Sequence, residues 1–163
     1  MNYTIRIAQA QDYEAVNAIV RVGQVEHAEA LPTIFAELDR VVAMGWYRSF
    51  SDAVNKVILV AECEIGIVGV SMLELKKSAP YDALVPRTYA HLNELAVAPM
   101  SRSQGVGTKL YTASLQWAQE RGASSLELNV WEFNERAIAF YESLGMSTLH
   151  RTMSIELLTS KGE

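Results

Sequence analysis

Val106, Leu110, Ala113, Ser114 and Trp117 fall at i, i+4, i+7, i+8 and i+11, while Lys109, Thr112, Gln116 and Glu120 occupy the opposite side. A helix with one such face must bury it against another element. The neighbours in sequence are strands. Tyr89 to Ala98 reads as a strand stopped by Pro99, and Leu126, Leu128 and Val130 alternate after Gly122, which sits where a left-handed helix cap is expected. This strand–helix–strand run predicts a sheet with a helix packed on it.

The rest of the chain extends that sheet. Tyr3, Ile5 and Ile7 share one face of a first strand. Asp12 is placed to cap a helix running to about Ala28, with Val16, Ile19, Val20 and Gly23 at helical spacing. After Leu31-Pro32-Thr33, the residues Ile34, Leu38, Val41 and Val42 suggest a second short helix ended by Gly45. Lys56–Glu62 and Ile65–Leu75 read as a hairpin of two Val/Ile-rich strands, and 76–88, with Pro80 and Pro86, as a loop. Asn134 is placed to cap a helix carrying Ala137, Phe140, Tyr141 and Leu144, ended by Gly145, and Met146–Leu158 reads as one or two closing strands. The order β-α-α-β-β-β-α-β-α-β(-β) predicts a mixed α/β fold in a single domain over 1–163.

Composition narrows the function classes. Half of the 163 residues are hydrophobic, a fifth are charged and mean hydropathy is +0.06, which excludes disorder. One cysteine, Cys63, excludes an intrachain disulfide scaffold and points to a reducing, cytoplasmic location. No leader-like N-terminus and no apolar run near the roughly 20 residues of a membrane span is seen. A net charge of −5 weighs against a nucleic-acid partner and favours a cationic substrate. The His and carboxylate spacings match no metal motif, so no metal is expected.

Chemistry concentrates in Leu95-Ala96-Val97-Ala98-Pro99-Met100-Ser101-Arg102-Ser103-Gln104-Gly105-Val106-Gly107-Thr108. A strand turns into a helix whose start holds two glycines. The first N–H groups of a helix lack internal partners and lie at the positive end of its dipole. Glycine lets an anion approach the main chain, and Arg102 adds charge. A Walker A loop requires Gly-Lys-Ser/Thr, whereas Gly107 precedes Thr108-Lys109. A Rossmann fingerprint requires three glycines in an early βαβ unit, and only Gly105 and Gly107 are present, late in the chain.

The pattern R-x-x-G-x-G at 102–107 resembles the acyl-CoA pyrophosphate loop of the GNAT family of N-acetyltransferases. Leu95–Pro99 is similar to that family's fourth strand, and Asn134–Met146, with N-x-x-A-x-x-F-Y, to its last helix. The resemblance runs from Tyr3 to about Leu158. It implies a mostly antiparallel, twisted sheet flanked by helices, with a splay between the fourth and fifth strands. It also implies acetyl-CoA as cosubstrate and an amine acceptor. The loop residues Arg102, Ser103, Gln104, Gly105, Val106, Gly107 and Thr108 would hold the pyrophosphate. Leu95 and Val97 would pair with pantetheine, the Val97 N–H facing the thioester carbonyl. Tyr141 would protonate the departing thiolate, and Asn134 would lie near the pantetheine arm as well as capping its helix.

The general base stays open among His91, Glu94 and a water chain. His91, Asn93, Leu95 and Val97 share a strand face, and Glu94 points the other way unless a bulge rephases the strand. The resemblance places the acceptor site near Glu26, His27, Glu29, Phe35, Glu37, Trp46, Tyr47 and Tyr81, a set suited to a cationic amine. A small-molecule amine is expected, with a protein lysine or N-terminal amine, or a catalytically silent acyl-CoA-binding module, as alternatives. A homodimer is compatible with the resemblance. Cys63 reads as structural.

Overall fold

The computed structural model describes residues 2–157. They form two compact units that divide between Asn129 and Val130. The first contains β1 (Thr4–Ile7), α1 (Tyr13–Ala30), α2 (Met44–Ser51), β2 (Lys56–Cys63), β3 (Gly66–Lys77), β4 (Thr88–Val97), α3 (Val106–Glu120) and β5 (Leu126–Leu128). The strands make one sheet in the order β1-β2-β3-β4-β5, antiparallel throughout except for the parallel β4-β5 pair. The mixed α/β architecture read from the sequence is the one observed.

Helices cover both faces of the sheet. On one side Tyr13, Val16, Ile19 and Val20 of α1 and Tyr47 and Phe50 of α2 pack with Ile58, Val60, Val70 and Met72. On the other, α3 lies so close to β3 that a Cβ on Gly69 would stand 2.9 Å from Leu110 Cδ1 and 3.0 Å from Val106 Cγ1. The two serines buried here satisfy each other, Ser71 Oγ lying 3.1 Å from Ser114 Oγ, which also reaches the Leu110 carbonyl. The apolar face read on α3 is the buried one. Gly122, at φ +71°, ends that helix in the left-handed conformation expected of it.

Three local expectations fail for identifiable reasons. Segment 34–42 is not helical, and α2 begins only at Met44, with Gly45 inside its first turn. Side chains of α1 hold the segment in an irregular path: Gln24 donates to the Ala36 carbonyl, Arg21 to that of Leu38 and Asn17 to that of Asp39. The Asn17 oxygen in turn accepts from the N–H groups of Val41 and Val42. Asp12 occupies the cap position of α1, but its carboxylate is turned to Arg6, 2.6 Å away, and to the Gln9 N–H. In the second unit α4 (Glu135–Ser143) is capped as expected, the Asn134 side chain accepting from the Ala137 N–H. Residues 146–157, however, form no strand; Leu149, Met153, Ile155 and Leu157 alternate but are exposed, so no buried face organises them. Leu158 lies outside the described residues.

Gly69→Ala is expected to destabilise the protein by about 1–3 kcal/mol, because α3 must shift to admit a methyl group. Urea unfolding followed by circular dichroism measures this, and an unchanged midpoint would show that the helix is not seated by that contact.

Candidate active site

The site is built around an irregularity in β4. Met72 pairs with Glu94 and Leu73 with Leu92, so Asn93 is an extra residue, a β-bulge. The main chain shows the same thing independently. The Ala90 N–H bonds toward β5, to the Ser125 carbonyl at 2.9 Å, whereas the Ala98 N–H bonds toward β3, to the Val68 carbonyl at 2.8 Å. Residues an even number apart in a regular strand would point the same way, so the edges are exchanged between them. Leu95 and Val97 therefore turn their main-chain groups away from β3.

That edge is open. β5 pairs with β4 only at Ala90, His91 and Leu92, and beyond them no strand among the described residues lies against β4. The pairing of β4 with β5 stops after Leu92–Leu128, on the strand pair where the resemblance implied a splay. The Val97 carbonyl on this edge accepts from Arg102 Nε at 3.1 Å.

The bulge also sets the side chains. Glu94 shares a face with Met72 and His91 with Glu74, so both point to the α1/α2 side, while Leu95 pairs with Ser71 on the α3 side. Of the sequence alternatives, the rephased one holds. Glu94 and Asn93 line a cleft of about 480 Å3 whose other walls are Val20, Val41, Val42, Ala43, Trp46 and Met72. Burial in these apolar walls pushes the Glu94 carboxyl up to about 7, against a smaller opposing effect of the Leu95 N–H. His91 lies outside the cleft, in a row across the sheet between Glu74 and Glu127. Burial, then Lys76, lowers its pKa, with Glu74 and Glu127 acting in the opposite sense.

The strand-to-helix turn follows at once. Ser103 (φ +59°) and Gly105 (φ +80°) are left-handed, and a Cβ on Gly105 would meet nothing within 4 Å. Among the described residues, the N–H groups from Ser103 to Thr108 have no hydrogen-bond acceptor. Lys109 is the first with one, the Gly105 carbonyl. The turn is braced from outside: Tyr3 Oη donates to Gln104 Oε1 at 2.6 Å, and Gln104 Nε2 donates to the Met100 carbonyl. Arg102 does not reach along the turn. Its guanidinium pairs with Glu26 of α1 at 3.1 Å as well as with Val97.

Other residues named from the sequence scatter. Trp46 lines the cleft, but Tyr47 is core and donates to the Gln9 carbonyl. His27 bonds the Gly23 carbonyl and packs on Phe35, and Glu29, Glu37 and Tyr81 are exposed. In the second unit Tyr141 packs edge-on against Phe140. Cys63 is half-buried near the Gly66 carbonyl. Sequence reasoning missed Asn93 as a site residue; its one signal was an asparagine inside a strand, where that residue is depleted.

The sequence profile of the Acetyltransferase (GNAT) family matches residues 24–146. The chain belongs to this family. A mycothiol acetyltransferase of Renibacterium salmoninarum is 26% identical over 84% of the chain and 38% of its own length. A thialysine N-epsilon-acetyltransferase of Bos taurus is 32% identical over 45% of the chain and 43% of its own length. The chain thus spans about two fifths of these relatives. Among solved structures, a variant of the BH1408 protein of Bacillus halodurans superposes with a TM-score of 0.91 at 27% identity, covering 95% of this chain and 99% of that one. A glucosamine-6-phosphate N-acetyltransferase of Arabidopsis thaliana shares the fold, with a TM-score of 0.67 at 19% identity over 96% of this chain and 99% of that one.

A carboxyl raised to about 7 holds its proton more tightly folded than unfolded. The folded state then binds more protons between about pH 4.5 and 7, and stability falls as pH rises through that window. Glu94→Gln is expected to remove this slope and to make the protein more stable than the parent at pH 8. Thermal unfolding of both proteins at pH 5 and pH 8 measures it; parallel pH profiles would mean the carboxyl is not desolvated.

Proposed function

We propose that the chain is an acetyl-CoA-dependent N-acetyltransferase, moving an acetyl group to a primary amine of a small molecule by direct attack in a ternary complex. The observation that carries this reading is the run of loop N–H groups at 103–108 without acceptors among the described residues, directly after a strand edge left unpaired. Family membership and relatives named as N-acetyltransferases support it.

Acetyl-CoA would supply an acetyl group activated as a thioester. The N–H groups of Ser103, Gln104, Gly105, Val106, Gly107 and Thr108 hold its pyrophosphate, each donating where the helix dipole is positive. Arg102 fixes the start of this turn against β4 and α1. The open edge at Leu95 and Val97 receives the pantetheine arm as an added strand. The Val97 N–H donates to the thioester oxygen, where negative charge grows during attack. Asn134, by its match to the family residue, is assigned to the same arm in addition to capping its own helix.

Glu94 is the base this reading favours, directly or through water. Its pKa of about 7 suits removal of a proton from an ammonium near neutrality, and it lies in a cleft, whereas His91 stands among charged neighbours. The freed nitrogen forms the C–N bond and loses its second proton to water as the amide forms, while the C–S bond breaks. Tyr141, by its match to the family tyrosine, gives its phenolic proton to the leaving thiolate and recovers one from water. The acidic charge balance and single cysteine fit a cytoplasmic enzyme with neither nucleic acid nor membrane as partner.

A screen of amines that detects released CoA thiol tests the activity itself; no release with any amine would refute it. Gly105→Glu is expected to weaken CoA binding more than tenfold through repulsion of the pyrophosphate. Open space around Gly105 admits the side chain, though its positive φ costs about 1 kcal/mol. Retained affinity would remove the loop from the binding site. Tyr141→Phe should lower kcat about a hundredfold with CoA affinity unchanged. Undiminished turnover would strip Tyr141 of its acid role.

A further inference from the structure

The cleft beside Glu94 contains a second polar group with nothing to do. Asn93 Nδ2 is fully buried and has no hydrogen-bond partner, alone in this among the described residues' buried side-chain nitrogens and oxygens. A buried amide without a partner destabilises a fold, and leucine, of similar size, would carry no such penalty there. The fold elsewhere satisfies comparable groups: Asn17 engages three main-chain groups, and Ser71 and Ser114 bond each other. The bulge removes Asn93 from the ladder of β4 and sets it against the cleft next to Glu94.

The remaining walls are apolar, and the volume of about 480 Å3 suits a small molecule. A second ammonium would be stranded against Val20, Val41 and Met72 with no further carboxylate in the lining. A sugar would bring several hydroxyls to a wall with one donor and one carboxyl. Trp46, 40% exposed, gives the cleft an aromatic flank.

We propose that the acceptor is a monoamine with an apolar body and a hydrogen-bond-accepting oxygen close to its nitrogen, and that Asn93 Nδ2 donates to that oxygen. The proposal rests on the N-acetyltransferase reading for the identity of the reacting group. It makes Asn93 a specificity residue and Glu94 its neighbour at the amine.

The test is calorimetric binding to the full chain with unreactive CoA present, using phenylalaninamide, phenethylamine, spermidine and glucosamine. Phenylalaninamide differs from phenethylamine by the carboxamide and is expected to bind about tenfold more tightly. Spermidine and glucosamine should bind at least tenfold more weakly than phenethylamine. In Asn93→Leu the ratio between the first two amines should fall to about one, phenethylamine should bind no more weakly than before, and Tm should not drop. Asn93→Ala serves the same comparison if the leucine variant misfolds. A carboxamide preference that survives either substitution, tightest binding by spermidine or glucosamine, or no amine binding at all overturns the proposal. Acetylation assays on the same amines separate the two readings. Transfer to spermidine or glucosamine alone sinks the substrate class and leaves the transferase standing. Asn93-dependent amine binding without transfer to any amine sinks the transferase and leaves the pocket.

Discussion

A strand can offer its main-chain groups to one neighbour on each edge, and which residue faces which edge follows from strict alternation. One extra residue at Asn93 breaks that alternation in β4. Before it, Ala90 bonds to the β5 side; after it, Ala98 bonds to the β3 side, leaving Leu95 and Val97 turned away from β3, beyond the last residue that pairs with β5. The same slip turns Glu94 into the apolar cleft on the α1/α2 face. Main-chain groups turned away from β3 and a raised carboxyl are thus products of a single bulge. Without the bulge, Glu94 would face α3 and its pKa would have a different cause.

The turn after β4 must hold its amides outward, and the fold supplies the bracing from three places. Gln104 is gripped by Tyr3, the residue before β1, and reaches back to Met100. Arg102 bonds Val97 and Glu26. Gly69 lets α3 settle on β3, which fixes the height of the helix start above the sheet. Arg102 shows why position in a motif does not settle role. As a sequence letter it reads as charge for a phosphate, whereas here much of its charge is compensated by Glu26 and its geometry serves the joint between strand and turn.

Elements defined by local periodicity were legible: the buried face of α3, the β2–β3 hairpin and the glycine stop at Gly122 all follow from spacing and backbone chemistry. The strand-to-helix turn was legible because a strand stopped by Pro99 runs into a helix opened by Gly105 and Gly107. Its assignment to a pyrophosphate came only from the resemblance of the loop, strand and last helix together. What escaped depended on partners remote in sequence. Apolar residues at 34–42 mimic a helix, but Asn17, Arg21 and Gln24 of α1 take the main-chain groups that a helix would use. Asp12 is drawn from its cap by Arg6 of β1. The bulge could be entertained from the sequence but not decided, since pairing with Met72 and Leu73 fixes it and those lie far upstream. The list of acceptor residues failed in part because it grouped letters by charge, and Tyr47, buried and bonded to Gln9, belongs to the core.

Between Asn93 and Thr108 the molecule departs from its own habit. A buried amide nitrogen without a partner, a carboxyl held near neutrality by desolvation, an unpaired strand edge and a row of amides without acceptors follow one another along the chain. The two buried groups cost stability in the free protein, whereas the strand edge and the exposed turn leave main-chain groups that no part of the described fold uses. They also differ in kind: in the proposed site the turn would donate to an anion, the edge to an extended chain and Asn93 to a neutral oxygen, and Glu94 would take a proton. Independent defects would have no reason to gather in one short segment or to complement one another. A ligand that is anionic at one end and linear along its middle, meeting a second molecule with an amine and an oxygen, would satisfy all four, which is why the segment reads as one bimolecular site.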